Sequence, residues 1–433
     1  MKAVNSDFVV VGAGVFGTWT ARALRSKGHS VTLIEAHGAG NSRSSSGDES
    51  RIMRMGYGAD GLYTRWAARS LQLWKALFQA TGQPLFVNTG VLWLCSELDR
   101  YTQELLRMLA TESIACEELS RTEISARFPK MNVDDISFAI LEPESGVLLA
   151  RRAVQTVLEH AVREGVRYVL DAVAPPESQN RKLESVPTTR GEAVSGGTFV
   201  FCCGAWLPQL FPELLGNRIF PTRQEVFYFG TPPGAREFRP PQMPVWLHHQ
   251  ENMYGLPDIE NRGIKVASDR HGYPFDPETG NRRVSQAGEE EVRAYLCRRF
   301  RSLGNVPLLE SRVCQYENTS NGDFLIDRHP EIENVWLVGG GSGHGFKHGP
   351  ALGEYVAGQI LQTTAAENRF LLERKLLVQQ MRQQCECEIK AADAETCARS
   401  ASLRKTLVIQ LHGQTMHHCL LCQAHQDRHT ETR

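Results

Sequence analysis

The residues best suited to chemistry in this 433-residue chain start with Gly12-Ala13-Gly14-Val15-Phe16-Gly17. They directly follow an apolar stretch, and Glu35 stands 18 residues beyond Gly17. Gly12 permits a tight turn, Gly14 lets the backbone approach a pyrophosphate, and Gly17 allows helix and strand to pack closely. A helix that begins there offers unpaired N–H groups and a partial positive charge to phosphates. Glu35 can accept hydrogen bonds from a ribose, and its charge repels a 2′-phosphate. Together these form a dinucleotide fingerprint, which on its own does not separate FAD from NAD. The plainer alternative is a glycine-rich turn in a helix–sheet sandwich.

Further residues lie beyond this fingerprint. Residues 41–54 form a polar loop with Ser45 and Ser46, followed by Arg51 and Arg54. Such a segment is poor core material and suits contacts with a pyrophosphate, a flat cofactor or an anionic substrate. Much later come Cys314-Gln315-Tyr316 and Phe324-Leu325-Ile326-Asp327. Gly339-Gly340-Gly341-Ser342-Gly343-His344-Gly345-Phe346-Lys347 then places five glycines in seven residues before a helix. Backbone N–H groups so little shielded can approach a flat or anionic ligand.

The elements that must position these residues follow from periodicity. Residues 8–11 and 31–34 read as strands around a helix at 15–27, and residues ~1–80 alternate strand and helix patterns. Residues 87–94 are strand-like, and amphipathic helices are expected at 101–109 and 152–163. Short apolar strands return at 166–173, ending on Val173, and at 198–203, running into Gly204. Residues ~221–310 look like a β-rich insertion, and 335–338 and 350–363 read as a last strand and helix. Parallel-strand pieces near the start, middle and end predict an α/β fold. Its nucleotide domain is discontinuous and carries an inserted substrate domain.

With these motifs the sequence resembles the monomeric sarcosine oxidase family of FAD-dependent amine oxidases, within the D-amino-acid-oxidase-like superfamily. The resemblance runs from about Asp7 to Gln359, most of the chain. It implies a Rossmann-like FAD-binding domain from residues 1–85, 150–220 and 311–370, and a mixed β-sheet substrate domain from 86–149 and 221–310. Residues 371–433 remain as an appendage. It implies that Cys314 carries FAD through a thioether, and that Arg54 and Lys347 hold a substrate carboxylate. Lys265, in Gly263-Ile264-Lys265, is implied to sit near the flavin and assist the reaction with oxygen, and Arg51 to lie beside the flavin ring. Tyr254 and Tyr316 are implied to line the substrate cavity, with His344 contacting flavin or substrate. Gly12, Gly14, Gly17, Glu35, Ser45, Ser46, Val173, Gly204, Gly341, Gly343 and Gly345 complete the expected cofactor contacts. One departure stands out: where the family has a histidine four residues after the lysine, this chain has Asp269, with His271 two further on. That carboxylate changes the charge of the pocket and bears on which substrate it accepts.

Each residue also has a plainer reading. The alternative for Cys314 is an ordinary buried thiol, for Lys347 a solvated helix-start lysine, and for Arg54 a partner of a carboxylate such as Glu49. Lys265 reads as a surface strand residue, His344 as a loop anchor, and Trp206 as structural. The activity implied is oxidation of a secondary amine or N-methyl amino acid by hydride transfer to flavin, with oxygen reduced to hydrogen peroxide. The rivals are a flavin dehydrogenase that passes electrons to a quinone or protein, and a non-catalytic flavin-binding protein with a partner-recruiting tail.

Bulk composition agrees with a small-molecule partner. The chain is 41% hydrophobic and 22% charged with net charge −1, which gives no long-range attraction for nucleic acid or an anionic membrane. No apolar run approaches the ~20 residues that span a bilayer. The first strand begins too early to leave room for a secretory signal. A cytoplasmic monomer or weak oligomer is expected, its eleven cysteines kept as thiols. In the tail, Cys419, Cys422, His425 and His429 are metal-ligand types. The gap between their pairs is far shorter than the ~12 residues of an ordinary finger, so no metal is assigned.

Overall fold

The computed structural model describes residues 5–377. Strand Asn5–Val11 leads through the glycine turn into helix Val15–Ser26 and returns as the parallel strand Val31–Glu35. Alternate residues of the first strand feed two different cores: Phe8 and Val10 point to one, Val9 and Val11 to the other. A strand buried on both faces is the reason for its continuous apolar run.

Five more strands complete this sheet. Its order is Leu325–Arg328, Val335–Gly339, Ala193–Phe201, Asn5–Val11, Val31–Glu35 and Arg167–Leu170, with Ser185–Pro187 paired off this path to Ala193–Phe201. The central pairings are parallel; Leu325–Arg328 and Ser185–Pro187 run antiparallel to their neighbours. Helices Val15–Ser26, Ala150–Arg163 and Gly349–Ile360 pack on one face. Segments far apart in the chain therefore meet in one sheet, the discontinuous α/β arrangement that the sequence implies.

A second sheet of eight strands runs in the order Leu308–Thr319, Ile219–Phe229, Ile264–Ser268, Met253–Leu256, Val245–His248, Val91–Cys95, Phe138–Glu142 and Glu117–Ser120. It is mixed, because Val245–His248 pairs in parallel with Val91–Cys95 while its other pairings are antiparallel. The strand that carries Cys314 and Tyr316 is its edge. A third, small sheet joins Arg51–Met53, Gly146–Leu148 and Phe86–Val87.

Several elements differ from the sequence reading. The stretch 87–94 is two strands, Phe86–Val87 and Val91–Cys95, in different sheets. The insertion at 221–310 contains a helix, Gln286–Arg299, whose start is fixed by the Ser285 hydroxyl accepting from the Gly288 N–H. Helix Gly61–Thr81, with 21 residues, was not singled out. Its signals were present: Asp60 accepts from the Tyr63 N–H, and Gly82 ends it in the left-handed region. Among the described residues, no helix is long and apolar enough to cross a membrane. The Cys/His tail lies outside the described residues.

Candidate active site

A cavity of about 560 Å³ opens at the carboxyl ends of Asn5–Val11 and Val31–Glu35, where open α/β sheets hold ligands. Its wall brings together Gly12, Gly14, Glu35, Ser45, Ser46, Arg51, Val173, Gly204, Cys314, Tyr316, Gly341, Gly343 and Gly345. Gly12 has φ +98°, and a Cβ there would stand 2.4 Å from the Cys202 carbonyl oxygen. Gly17 does not line the cavity. A Cβ on it would lie 1.8 Å from the Gly12 oxygen, so it lets the helix press on the turn.

Glu35 braces this turn as well as facing the cavity. Its Oε2 accepts from the Ala13 N–H at 2.7 Å and its Oε1 from the His37 N–H at 2.9 Å. The Ser46 hydroxyl accepts from the Val15 N–H at 3.1 Å, at the start of the helix. The Ser45 hydroxyl donates to the Gln315 carbonyl at 2.9 Å, tying the polar loop to the strand of Cys314. Trp206, read as structural, also borders the cavity.

Arg51 stands at one end of the wall. Its guanidinium donates to the Ser45 carbonyl at 2.8 Å and lies 3.4 Å from the Cys314 sulfur. It also pairs with Asp48, and so does the Lys265 ammonium. Lys265 further donates to the Ser50 carbonyl at 2.9 Å, and the Tyr228 hydroxyl donates to Asp48 at 2.8 Å. Although burial opposes ionisation, Lys265 and Arg51 hold the Asp48 carboxyl far below the usual range. Lys265 thus sits behind Arg51, joined to it through Asp48, and is buried rather than on the surface.

A second cluster gathers on Tyr57. The Arg54 guanidinium lies 4.4 Å over its ring and 5.0 Å over that of Trp93. The Lys347 amine donates to the Tyr57 hydroxyl at 2.8 Å and to the His344 carbonyl at 2.9 Å. His348 Nε2 is 2.7 Å from the same hydroxyl and His344 Nδ1 3.3 Å. Burial, with Arg54 close by, pushes the Lys347 amine well down. Burial and Lys347 push His344 down to about 3. Arg54 does not pair with Glu49, which instead binds Arg151, Arg262 and Arg312.

Between the clusters, the Tyr316 hydroxyl donates to Asp269 at 3.2 Å. Asp269 is exposed, and the protein packed around its carboxyl raises its pKa against the pull of Arg54 and His271. Burial likewise raises the phenols of Tyr254 and Tyr316, so both stay protonated donors. Lys265, Arg54, Lys347, Tyr254 and His344 are set back from the main cavity wall. The sequence reading missed Asp48, Tyr57, His348 and Glu142. The first three adjoin residues it did select, whereas Glu142 carries no local signal.

One other trio of ligand types, Asp135, His248 and Glu251, converges among the described residues. Arg299 donates to both Asp135 oxygens at 2.9 Å, so a guanidinium already serves that site.

The sequence model of DAO, FAD dependent oxidoreductase, matches residues 7–359. The chain belongs to this family of FAD-dependent oxidoreductases. It is 31% identical over 379 residues to monomeric sarcosine oxidase of Streptomyces avermitilis, spanning 86% of this chain and 97% of that one. It is 28% identical over 358 residues to N-methyl-L-tryptophan oxidase of Yersinia pestis, spanning 82% and 94%. The fold is similar to that of L-proline dehydrogenase from P. horikoshii, with a TM-score of 0.77 at 21% identity over 86% of this chain and 98% of that one. For a member of this family, the walls of the cavity fit FAD: a side-chain-free approach at Gly12 and Gly14, a helix start beside it, and the Glu35 carboxylate braced on the same turn.

Proposed function

We propose that the chain is an amine oxidase. It takes a secondary amine or N-methyl amino acid of the sarcosine type, reduces oxygen to hydrogen peroxide, and carries its FAD tethered through Cys314. When bound, FAD supplies the two-electron acceptor that takes a hydride equivalent from the carbon beside nitrogen and passes the electrons to oxygen. The observation that carries this reading is the Arg51–Cys314–Tyr316 wall beside two basic side chains, Arg54 and Lys347, collected on one tyrosine. Relatives named for sarcosine and N-methyl-L-tryptophan, both N-methyl amino acids, support it.

The residues divide the work. Arg54, fixed by its stacking on Tyr57 and Trp93, and Lys347 bind the substrate carboxylate and so orient its Cα–H. Such positioning contributes several kcal/mol. Lys347 is buried beside Arg54, so an arriving carboxylate restores the charge that burial takes from it. Tyr316 walls the cavity and Tyr254 stands behind it, both as neutral hydrogen-bond donors. His344, uncharged, holds Tyr57 and through it Lys347. Burial lowers the Lys265 ammonium and Asp48 opposes that, favouring a positive charge beside the place where electrons would leave for oxygen. Gly12, Gly14, Glu35, Ser45, Ser46, Val173, Gly204, Gly341, Gly343 and Gly345 make up the cofactor cradle, and Gly17 lets the helix pack on its turn. The Cys314 thiol, next to the Arg51 cation, is placed for attachment. Six cysteines among the described residues are free, which supports a cytoplasmic setting.

Acid-precipitated protein is expected to stay yellow, and the Cys314→Ala variant to release its colour. A panel of N-methyl and cyclic amino acids should bleach the flavin anaerobically, and air should return peroxide in step with turnover. Turnover with an artificial acceptor but without peroxide would make it a dehydrogenase. Lys265→Met should slow reoxidation by oxygen far more than anaerobic reduction; equal loss in both half-reactions removes the oxygen role from Lys265.

A further inference from the structure

The cavity contains a carboxyl group that none of these roles uses. Glu317 follows Tyr316 on the edge strand Leu308–Thr319, lines the cavity and is 8% exposed. A Cβ placed on Gly339 or Gly341 would stand 3.2 Å from one of its carboxyl oxygens, and one on Gly204 3.8 Å. It is therefore wedged between the glycine loop and the turn after Ala193–Phe201. The amides of Gly340 and Gly341 favour its charge, yet its Oε2 is buried with no hydrogen-bond partner.

No cation offsets that charge among the described residues. Across the sheet Glu317 faces Pro221 of Ile219–Phe229. The glycine loop and the Gly204 turn present backbone to it. The titratable groups that sense it are Cys202 and Cys203, both pushed up by burial and so uncharged. A buried carboxyl without a counter-charge gives up its own charge rather than bear the solvation cost. Burial accordingly moves Glu317 up to about 7. A pyrophosphate entering the same cavity disfavours the carboxylate further.

We propose that Glu317 grips the bound flavin dinucleotide as a neutral carboxylic acid, donating a hydrogen bond from Oε2 to an acceptor oxygen of the cofactor. The proposal rests on FAD occupying this cavity. A donor held protonated in the complex and free to ionise without it couples cofactor affinity to one proton. Affinity is then flat below neutrality and falls as pH rises.

The test uses the full chain with Cys314→Ala, so that FAD exchanges, and reads FAD dissociation by flavin fluorescence between about pH 6 and about pH 8.5. The dissociation constant should rise about tenfold per pH unit above neutrality. Adding Glu317→Gln, which keeps a donor and cannot ionise, should retain the low-pH affinity and flatten the profile. Adding Glu317→Leu should weaken binding about tenfold at low pH, the loss of one hydrogen bond. Circular dichroism of each variant confirms that it is folded. The same pH profile in the Glu and Gln proteins overturns the proposal. So does a Gln variant that binds more weakly at low pH than a parent with a flat profile, since Glu317 is then an ionised acceptor. Absence of FAD binding at every pH overturns the cavity's assignment together with the proposal.

Discussion

Asp48 shows how much a single side chain decides at this site. It is the one anion shared by Arg51 and Lys265, with Asp48 and Lys265 buried and Arg51 at the edge of the cavity. Asp48→Asn leaves two neighbouring cations without a counter-charge, Lys265 fully buried, which should cost about 3–5 kcal/mol of stability in urea unfolding. Asp48→Glu should recover only part of it. His344 and His348 make a second residue-scale claim. Burial lowers both, His344 to about 3, with Lys347 adding to the effect. A histidine kept neutral by the fold contributes fully above its unfolded value of about 6.5, and that contribution is lost as pH falls toward the folded value. Unfolding free energy should drop by about 1.4 kcal/mol per pH unit for each of the two between about pH 6 and about pH 4. Replacing either by Gln should halve that slope.

At the scale of elements, the turn after Arg51–Met53 aims Arg54, and a remote carboxylate fixes the turn. Glu142, at the end of strand Phe138–Glu142, accepts from the Met55 N–H at 2.7 Å and the Gly56 N–H at 3.1 Å. It also accepts from Trp93 Nε1 at 2.8 Å and the Ser145 hydroxyl at 2.6 Å. Trp93 is one of the two rings that hold the Arg54 guanidinium. Glu142→Ala strands these buried donors, each worth about 1–3 kcal/mol when unsatisfied. It should raise KM for a carboxylate substrate more than it lowers kcat, because it frees Arg54 without touching flavin. If kcat alone falls, Glu142 does not act through Arg54. This link spans 87 residues from Met55 and had no sequence signal. The glycine turn and its helix, by contrast, were readable because every interaction that builds them is local. The helix Gly61–Thr81 was readable too, from its Asp60 and Gly82 caps, and went unread amid its many polar residues.

At the scale of the molecule, the cavity wall draws on stretches near residues 11–51, 171–210 and 314–346, with Glu278 from a fourth. FAD bound there would link the seven-stranded sheet to the edge strand of the eight-stranded one. Cofactor-free protein, obtained from Cys314→Ala, should melt several degrees below the loaded form. At a free FAD concentration about a hundred times its dissociation constant, the gain should reach about 2.7 kcal/mol. A melting curve indifferent to FAD would mean that the cavity does not bind it in the folded state. The division at residue 311 drawn from sequence falls inside Leu308–Thr319, because strand ends depend on partners that composition does not name.

The sequence by itself determined the parallel α/β core, the dinucleotide turn and many of the residue types that line the cavity. These depend on periodicity, on glycine's missing side chain and on spacing over a few residues. Only the tertiary structure decided that Lys265 and Arg51 share Asp48, that Lys347 and Arg54 meet on Tyr57, and that Glu317 stands unpaired among glycines. Whether a charged group is matched or stranded depends on burial and on partners brought from distant segments, and no local pattern encodes that.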